Sequence, residues 1–448
     1  MRITRSWSKC ALPVLVLLCI SVSAQYPLRL AFAQEPLTLA KKAEIFEYDL
    51  RTNFVFEGQM PPKRRPPTPE HPFVSYNMPD NAYMTGIYAG MLAMKYAVTK
   101  DENVRKEAGQ ALQALHLLST VSGKKGLLAR AAVRKDMPFL DDGKWYDSPD
   151  GTYRWRADVS SDQMDGVIYG FCLLFDLVAD DAEKKIIAPD VADLVGSILD
   201  NKLRIVDIDG TPTTWGSYYP EYVRIREHMN ALLLLQHVKV AHHVTGDERF
   251  DKEYLRIAND LGYADLAVTA RGNANPLIED AVNYSDDVLL YLAYYPLLVL
   301  EKDVALRDKY LASLRRTWEG DGKFPGIKPL GCTYYAFTVH AFLDDASGDE
   351  AGINTLKWFP LDMKWNRDVI LAYEKQFKFT FDPTPKSSEP GKGEVVPIDR
   401  RPKDWSAWVW DPYVAGDRKD HPGIYYGGLD YLMAYWLGRY HGYLSPEM

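Results

Sequence analysis

Two pairs of carboxylates stand where proton chemistry could be done. Asp162 and Asp165 lie in the run Ser160-Ser161-Asp162-Gln163-Met164-Asp165-Gly166, and Asp286 and Asp287 follow Ser285. Ser160 with Gln163 three residues on has the form of a capping box, so the spacing predicts a helix that opens here with both acids on one face of its first turns. One acid satisfies the positive end of a helix dipole, and a second one beside Trp155-Arg156 needs another reason. A carboxyl that keeps its proton can give it to a leaving oxygen while an ionised one activates water or attacks carbon, which is the chemistry of glycoside hydrolysis. The plainer alternative is that all four acids only complement helix dipoles. Glu221, Glu227, Glu279 and Asp280 also lie just ahead of apolar segments and stand as substitutes.

A second constellation suits a different reaction. Tyr218, Tyr219, Arg224, Arg226, His228 and Asn230 cluster before and within one apolar segment. A Tyr or His there could remove the proton α to a uronate carboxylate while Arg, Asn or His neutralises that carboxylate, giving a polysaccharide lyase. Aromatic rings recur in two long connections: Lys124 to Val159, with Trp145, Tyr146, Trp155 and Arg156, and Asp382 to Gly423, with Trp405, Trp408, Trp410, Tyr413 and His421. Rings of this kind offer flat apolar faces to sugars. Trp155, Arg156, Tyr219, Arg226, His228, Trp405, Trp408, Trp410 and His421 are therefore the candidate substrate contacts, and a toroid that binds glycan without turnover is a third reading.

Other chemistries find no support. No serine hydrolase, phosphate-loop or dinucleotide motif occurs, and His237, His242 and His243 are not paired at the spacing of four that metalloproteases use, so neither metal nor cofactor is expected. Arg2, Arg5 and Lys9 precede an apolar run from Ala11 to Ile20 that is too short to span a bilayer, with small residues for cleavage at Ala24 or Ala33. The pattern predicts a signal peptide and flanking segment over 1–33, a single domain over 34–448, export to the periplasm or medium, and no stable membrane anchor afterwards. Loss of Arg2, Arg5 and Lys9 takes the formal charge from −8 to −11, which argues against nucleic acid and anionic membrane as partners. The two cysteines left, Cys172 and Cys332, read as buried thiols inside apolar helices. Oligomeric state is not legible.

The elements that must position these residues are helical nearly throughout, in two alternating kinds. Apolar, small-residue-rich segments run over Asn81 to Val98, Ser160 to Val178, Arg226 to Val244, Ser285 to Leu300, Thr333 to Leu343 and Ile424 to Tyr440. Amphipathic ones run over Leu37 to Phe56, Asp101 to Val121, Asp181 to Leu203, Asp247 to Tyr263, Asp303 to Trp318 and, broken, Trp365 to Phe377. Turns from the first kind to the second are short and the returns long, so the long connections gather at one end. Gly86 with Gly90, and Gly166 with Gly170, predict close backbone packing between apolar helices. The expected fold is all-α, an (α/α)6 toroid of six helical hairpins, with a small β-hairpin around Asp209-Gly210 and long loops at one rim.

Stretches such as Ser160-Ser161-Asp162-Gln163, Lys239-Val240-Ala241-His242-His243-Val244-Thr245-Gly246-Asp247, Ser285-Asp286-Asp287 and Trp436-Leu437-Gly438-Arg439-Tyr440-His441-Gly442 resemble the six-hairpin glycosidase superfamily, over about Leu37 to Leu444. The resemblance implies a carbohydrate substrate and acids at the mouth-side ends of inner helices. The Arg-Gly-Asn-Gly-Trp signature of the unsaturated uronyl hydrolases is not matched, since Arg271-Gly272-Asn273 continues into Ala274-Asn275-Pro276. That subgroup's activity is not carried over, and a glycoside hydrolase is the leading expectation.

Overall fold

Segments whose small and apolar residues recur at every helical position can be buried on all sides, and those with one charged face can be buried on only one. In a computed structural model, which describes residues 37–225, 228–271, 284–322, 325–402, 408, 411–414 and 424–448, that difference sorts the helices into two layers. They are α1 (Leu39–Asp49), α2 (Asn81–Thr99), α3 (Glu102–Thr120), α4 (Ser161–Leu177), α5 (Asp181–Asp200), α6 (Pro220–Ile225), α7 (Met229–Thr245), α8 (Glu248–Leu255), α9 (Tyr263–Val268), α10 (Ser285–Leu300), α11 (Val304–Glu319), α12 (Thr333–Leu343), α13 (Asp349–Trp358), α14 (Arg367–Phe377) and α15 (Leu429–Tyr440).

The apolar helices α2, α4, α7, α10, α12 and α15 each pack on the next in that order, and α15 returns to α2, so residues 37–448 form a helical toroid closed by its inner layer. Amphipathic helices return the chain on the outside: α3 packs on α2 and α4, α5 on α4 and α7, α8 and α9 on α7, α11 on α10 and α12, α13 on α12, and α1 on α15. The expected alternation holds, with α13 an additional outer helix where none was anticipated. The inner N-termini therefore share one end of the ring. Among the described residues no helix is long and apolar enough to cross a membrane.

The glycine pairs act where α2 and α4 cross. A Cβ placed on Gly86 would stand 1.9 Å from the Gly166 carbonyl oxygen, and one on Gly170 would stand 2.5 Å from that of Gly86. No side chain fits between these backbones. At the opposite end, short turns are capped by aspartates as the sequence suggested: Asp101 accepts from the Asn103 amide at 2.8 Å, Asp247 from that of Arg249 at 2.8 Å, and Asp180 forms a full capping box with Glu183.

The long connections are not structureless, which corrects the expectation for Lys124 to Val159. Strand β1 (Lys63–Arg65) pairs antiparallel with β2 (Ser75–Tyr76) on one side and with the later β8 (Tyr425–Tyr426) on the other; β3 (Ala131–Arg134), β4 (Trp145–Asp147) and β5 (Tyr153–Arg156) form an antiparallel sheet with β5 central; β6 (Arg204–Val206) and β7 (Pro212–Ser217) form the anticipated hairpin. Its turn carries Gly210 at φ 84°, where glycine is unstrained. Cys172 and Cys332 are free and buried, though Cys332 occupies the position just ahead of α12 rather than lying within it.

Candidate active site

Inner-helix N-termini concentrate acids at the mouth: Asp80 ahead of α2, Asp162 and Asp165 in α4, Asp286 and Asp287 in α10, and Asp430 in α15. Their environments differ. Asp162 is half-buried and accepts from the Ser160 hydroxyl and, at 2.9 Å, from the Gln163 amide. Asp165, one turn deeper on the same helix, is 0% exposed, and neither carboxyl oxygen has a hydrogen-bond partner among the described residues. Burial, reinforced by Asp162, pushes the Asp165 carboxyl well above the usual carboxylate range.

The expected capping box does not form. Ser160 occupies the cap position of α4 without capping it; its hydroxyl donates to Asp162 and accepts from Arg130 Nη2 at 2.8 Å. The Gln163 side chain crosses to α2, where its Oε1 accepts from the Tyr83 amide at 3.1 Å. The residues that looked like caps thus tie the mouth ends of α2 and α4 together.

Asp80 went unnoticed in the sequence. It sits at the cap position of α2 but makes no side-chain capping bond, and burial followed by Asp162 raises its carboxyl, against Lys63, Arg130 and Arg156. The carboxyl at the cap of α2 therefore feels one on the neighbouring helix α4. The signal that could have found Asp80 is its place just ahead of an apolar helix. Arg130, only 8% exposed, stands beside them, donating from Nε to the Asp158 carbonyl at 2.6 Å and from Nη1 to that of Pro79 at 3.1 Å.

Tyr83, buried one turn into α2, shows which acids share a field. After burial, its hydroxyl is pushed up by Asp165, Asp162, Asp80 and Asp286, in falling order. The α10 acid Asp286 and the α4 pair thus act on one point of the ring. Asp287 is buried, and after burial it is among the groups that push up the hydroxyls of Tyr291 and Tyr294 on its own helix and of Tyr335 on α12.

The predicted substrate contacts fare unevenly. Trp155 is 1% exposed and stacks on Tyr146 at 5.3 Å, so it belongs to the core: in β5, Trp155 is the position that points inward. Trp408 is likewise buried, donating its Nε1 to the Asp430 carbonyl at 2.9 Å and packing edge-on against Phe359. Both corrections have one cause: a large ring in a long connection gains more from covering the core than from standing in water. Arg156 is held by Asp141 at 2.7 Å. Tyr219 is half-buried under the Arg204 guanidinium, 3.7 Å from the ring centre. Arg226, Trp405, Trp410 and His421 lie outside the described residues, as do Glu227, Glu279 and Asp280.

The described members of the lyase constellation each have partners of their own. Tyr218 is fully buried, bonds His237 Nε2 at 3.2 Å, and has its hydroxyl pushed well up by burial and then by Asp165 and Asp162, the opposite of what a base needs. Asn230 donates to the Ser217 carbonyl at 2.8 Å, Arg224 to that of Leu261 at 3.2 Å, and His228 meets the Thr269 hydroxyl at 2.7 Å.

No family model matches the chain, and no curated protein does. Among solved structures the chain is similar to a GH76 α-mannanase from Bacteroides thetaiotaomicron, at 8% identity and a TM-score of 0.47 over 91% of this chain and 96% of that one. It is also similar to an unsaturated glucuronyl hydrolase specific for heparin, at 11% identity and a TM-score of 0.43 over 90% of this chain and 97% of that one. A third likeness is to the cellobiose 2-epimerase of Bacillus thermoamylovorans B4167, at 12% identity and a TM-score of 0.44 over 90% of this chain and 99% of that one.

Proposed function

We propose that this protein is an exported carbohydrate-active enzyme that hydrolyses O-glycosyl bonds, with residues 34–448 as its catalytic domain and the mouth-side acids of α2 and α4 as its acid and base. One observation carries this reading. Asp80 stands where a helix cap should be yet does not cap, and its carboxyl is raised by burial and by Asp162 on the neighbouring helix. A half-buried carboxyl raised in this way keeps its proton to higher pH than an ordinary one, which is the property needed to give a proton to a leaving glycosidic oxygen. Asp162 receives a hydroxyl and an amide, the donors a carboxylate takes, and is the group that activates water or attacks the sugar. Asp286 of α10 adds to the same field at Tyr83, and Asp165 lies one turn deeper in α4, its carboxyl pushed well above the usual carboxylate range by burial and then by Asp162.

The test is turnover on a panel of plant, algal and animal glycans. Asp80→Asn and Asp162→Asn are each expected to cut kcat by ~100-fold or more with the fold intact by circular dichroism. Asp80→Asn should recover on an activated glycoside whose leaving group needs no proton, and Asp162→Asn should not. Products should be saturated sugars. Near-ultraviolet absorbance rising with cleavage, or full activity in both variants, would overturn the assignment.

A further inference from the structure

The β6–β7 hairpin holds Trp215 at 55% exposure, a costly position for so large a ring unless something covers it. Along this strand Gly216 and Tyr218 point inward while Trp215, Ser217 and Tyr219 take the wetter face. Tyr219 is packed between Arg204 and Tyr222, which lies 5.8 Å away. Among the described residues no ring packs on Trp215, so it is the open face.

The hairpin is pinned to the mouth on two sides. The Thr214 amide and hydroxyl donate to the two Asp158 carboxyl oxygens at 2.8 and 3.0 Å, and Asp158 belongs to the segment that leads into Asp162. Asp158 itself holds a left-handed φ of 59°, and its amide donates to Asp207 of the same hairpin at 3.2 Å. At the other end Asn230, in the first turn of α7, donates to the Ser217 carbonyl at 2.8 Å. Within the hairpin Gly216 leaves room for the Ile205 side chain of β6, since a Cβ there would stand 2.4 Å from Thr213 Oγ1 and 2.7 Å from Ile205 Cβ. The exposed ring therefore sits on a ribbon tied to the segment ahead of α4 and to the first turn of α7, at the mouth ends of both helices.

We infer that Trp215 is a stacking subsite for a pyranose ring of the glycan chain, lying beyond the bond that is cut and favouring longer substrates. The inference rests on the carbohydrate reading above. An exposed indole offers a flat apolar face, and its fixed backbone means that little order is lost when a sugar ring covers it.

Binding and turnover are measured separately, by calorimetric titration and by reducing-end release, on oligosaccharides of increasing length from the glycan the wild type accepts. Affinity should rise with chain length. In Trp215→Ala the affinity for the longest chain should fall about tenfold, with a smaller loss for the shortest, and Trp215→Phe should regain most of it. Equal length dependence in Trp215→Ala and wild type, with wild-type turnover intact, overturns the subsite and leaves the hydrolase reading standing. Length-dependent binding lost in Trp215→Ala, without turnover in the wild type, supports the subsite and sinks the hydrolase. A wild-type dimer that Trp215→Ala dissociates in sedimentation would make the ring an interface residue and overturn the inference.

Discussion

A carboxyl with no hydrogen-bond partner, enclosed by protein, is costly to keep, and Asp165 is such a group. Its carboxyl is raised by burial, then by Asp162. The folded state thus holds its proton to higher pH than the unfolded chain does. Its contribution to stability is full below the ordinary Asp range and is lost as pH rises towards the raised value. Asp165→Asn does not titrate, so the variant should melt above wild type by a margin that grows from pH 4 upward, while its turnover falls. Melting curves that run parallel across that range would show that Asp165 is not held neutral by the fold. Of the candidate site, Asp162 and Asp165 could be singled out in the sequence because two acids in one helical turn exceed what a dipole requires. Asp80 was not, because a single acid ahead of a helix is indistinguishable in sequence from a cap, and only the absent capping bond tells them apart.

Helix periodicity and glycine spacing were the legible part at the scale of elements. The apolar segments became the inner ring because they have no face that tolerates water, and Gly86, Gly166 and Gly170 became the crossing of α2 with α4 because only glycine allows backbones so near. What periodicity could not show is the pairing of β3, β4 and β5, since strands of three or four residues carry too few alternations to register, and their ladders depend on partners distant in sequence. The glycine argument has a direct check. Gly86→Ala should lose on the order of 1–3 kcal/mol or fail to fold, because the added methyl meets backbone rather than a side chain that can move. Gly196 in α5 is the control, its nearest neighbour being the far end of Arg249 at 3.7 Å. Alanine there should leave stability unchanged or raise it by up to ~1 kcal/mol. Urea midpoints for the two variants decide it, and a Gly86→Ala variant as stable as Gly196→Ala would mean that the crossing tolerates a methyl group and does not require glycine.

A ring must be closed where its chain begins and ends, and the seam of this toroid runs between α1 and the last helices. The Ala40 amide donates to the Met448 carbonyl at 3.0 Å, the Tyr431 hydroxyl to that of Leu39 at 2.9 Å, and the Trp436 ring to Glu47 at 2.8 Å. The seam also contains a buried cation. Lys42, on α1, donates to the carbonyls of Leu356, Lys357 and Phe359 at 3.2, 2.6 and 3.0 Å, taking up orphan acceptors at the C-terminal end of α13. Burial pulls its amine down to about 7, with Asp399 opposing. Because the unfolded chain holds that proton up to the ordinary lysine range and the folded one releases it near 7, the unfolded state binds more protons in between, and this group makes stability rise with pH from about 7 to about 10. Lys42→Met leaves the carbonyls without a donor and should lower the melting temperature throughout, as a broken buried contact does. It should also flatten the rise between pH 7 and 10, since the group responsible has gone. A variant that keeps the wild-type slope would place that titration elsewhere and reduce Lys42 to a packing residue of the seam.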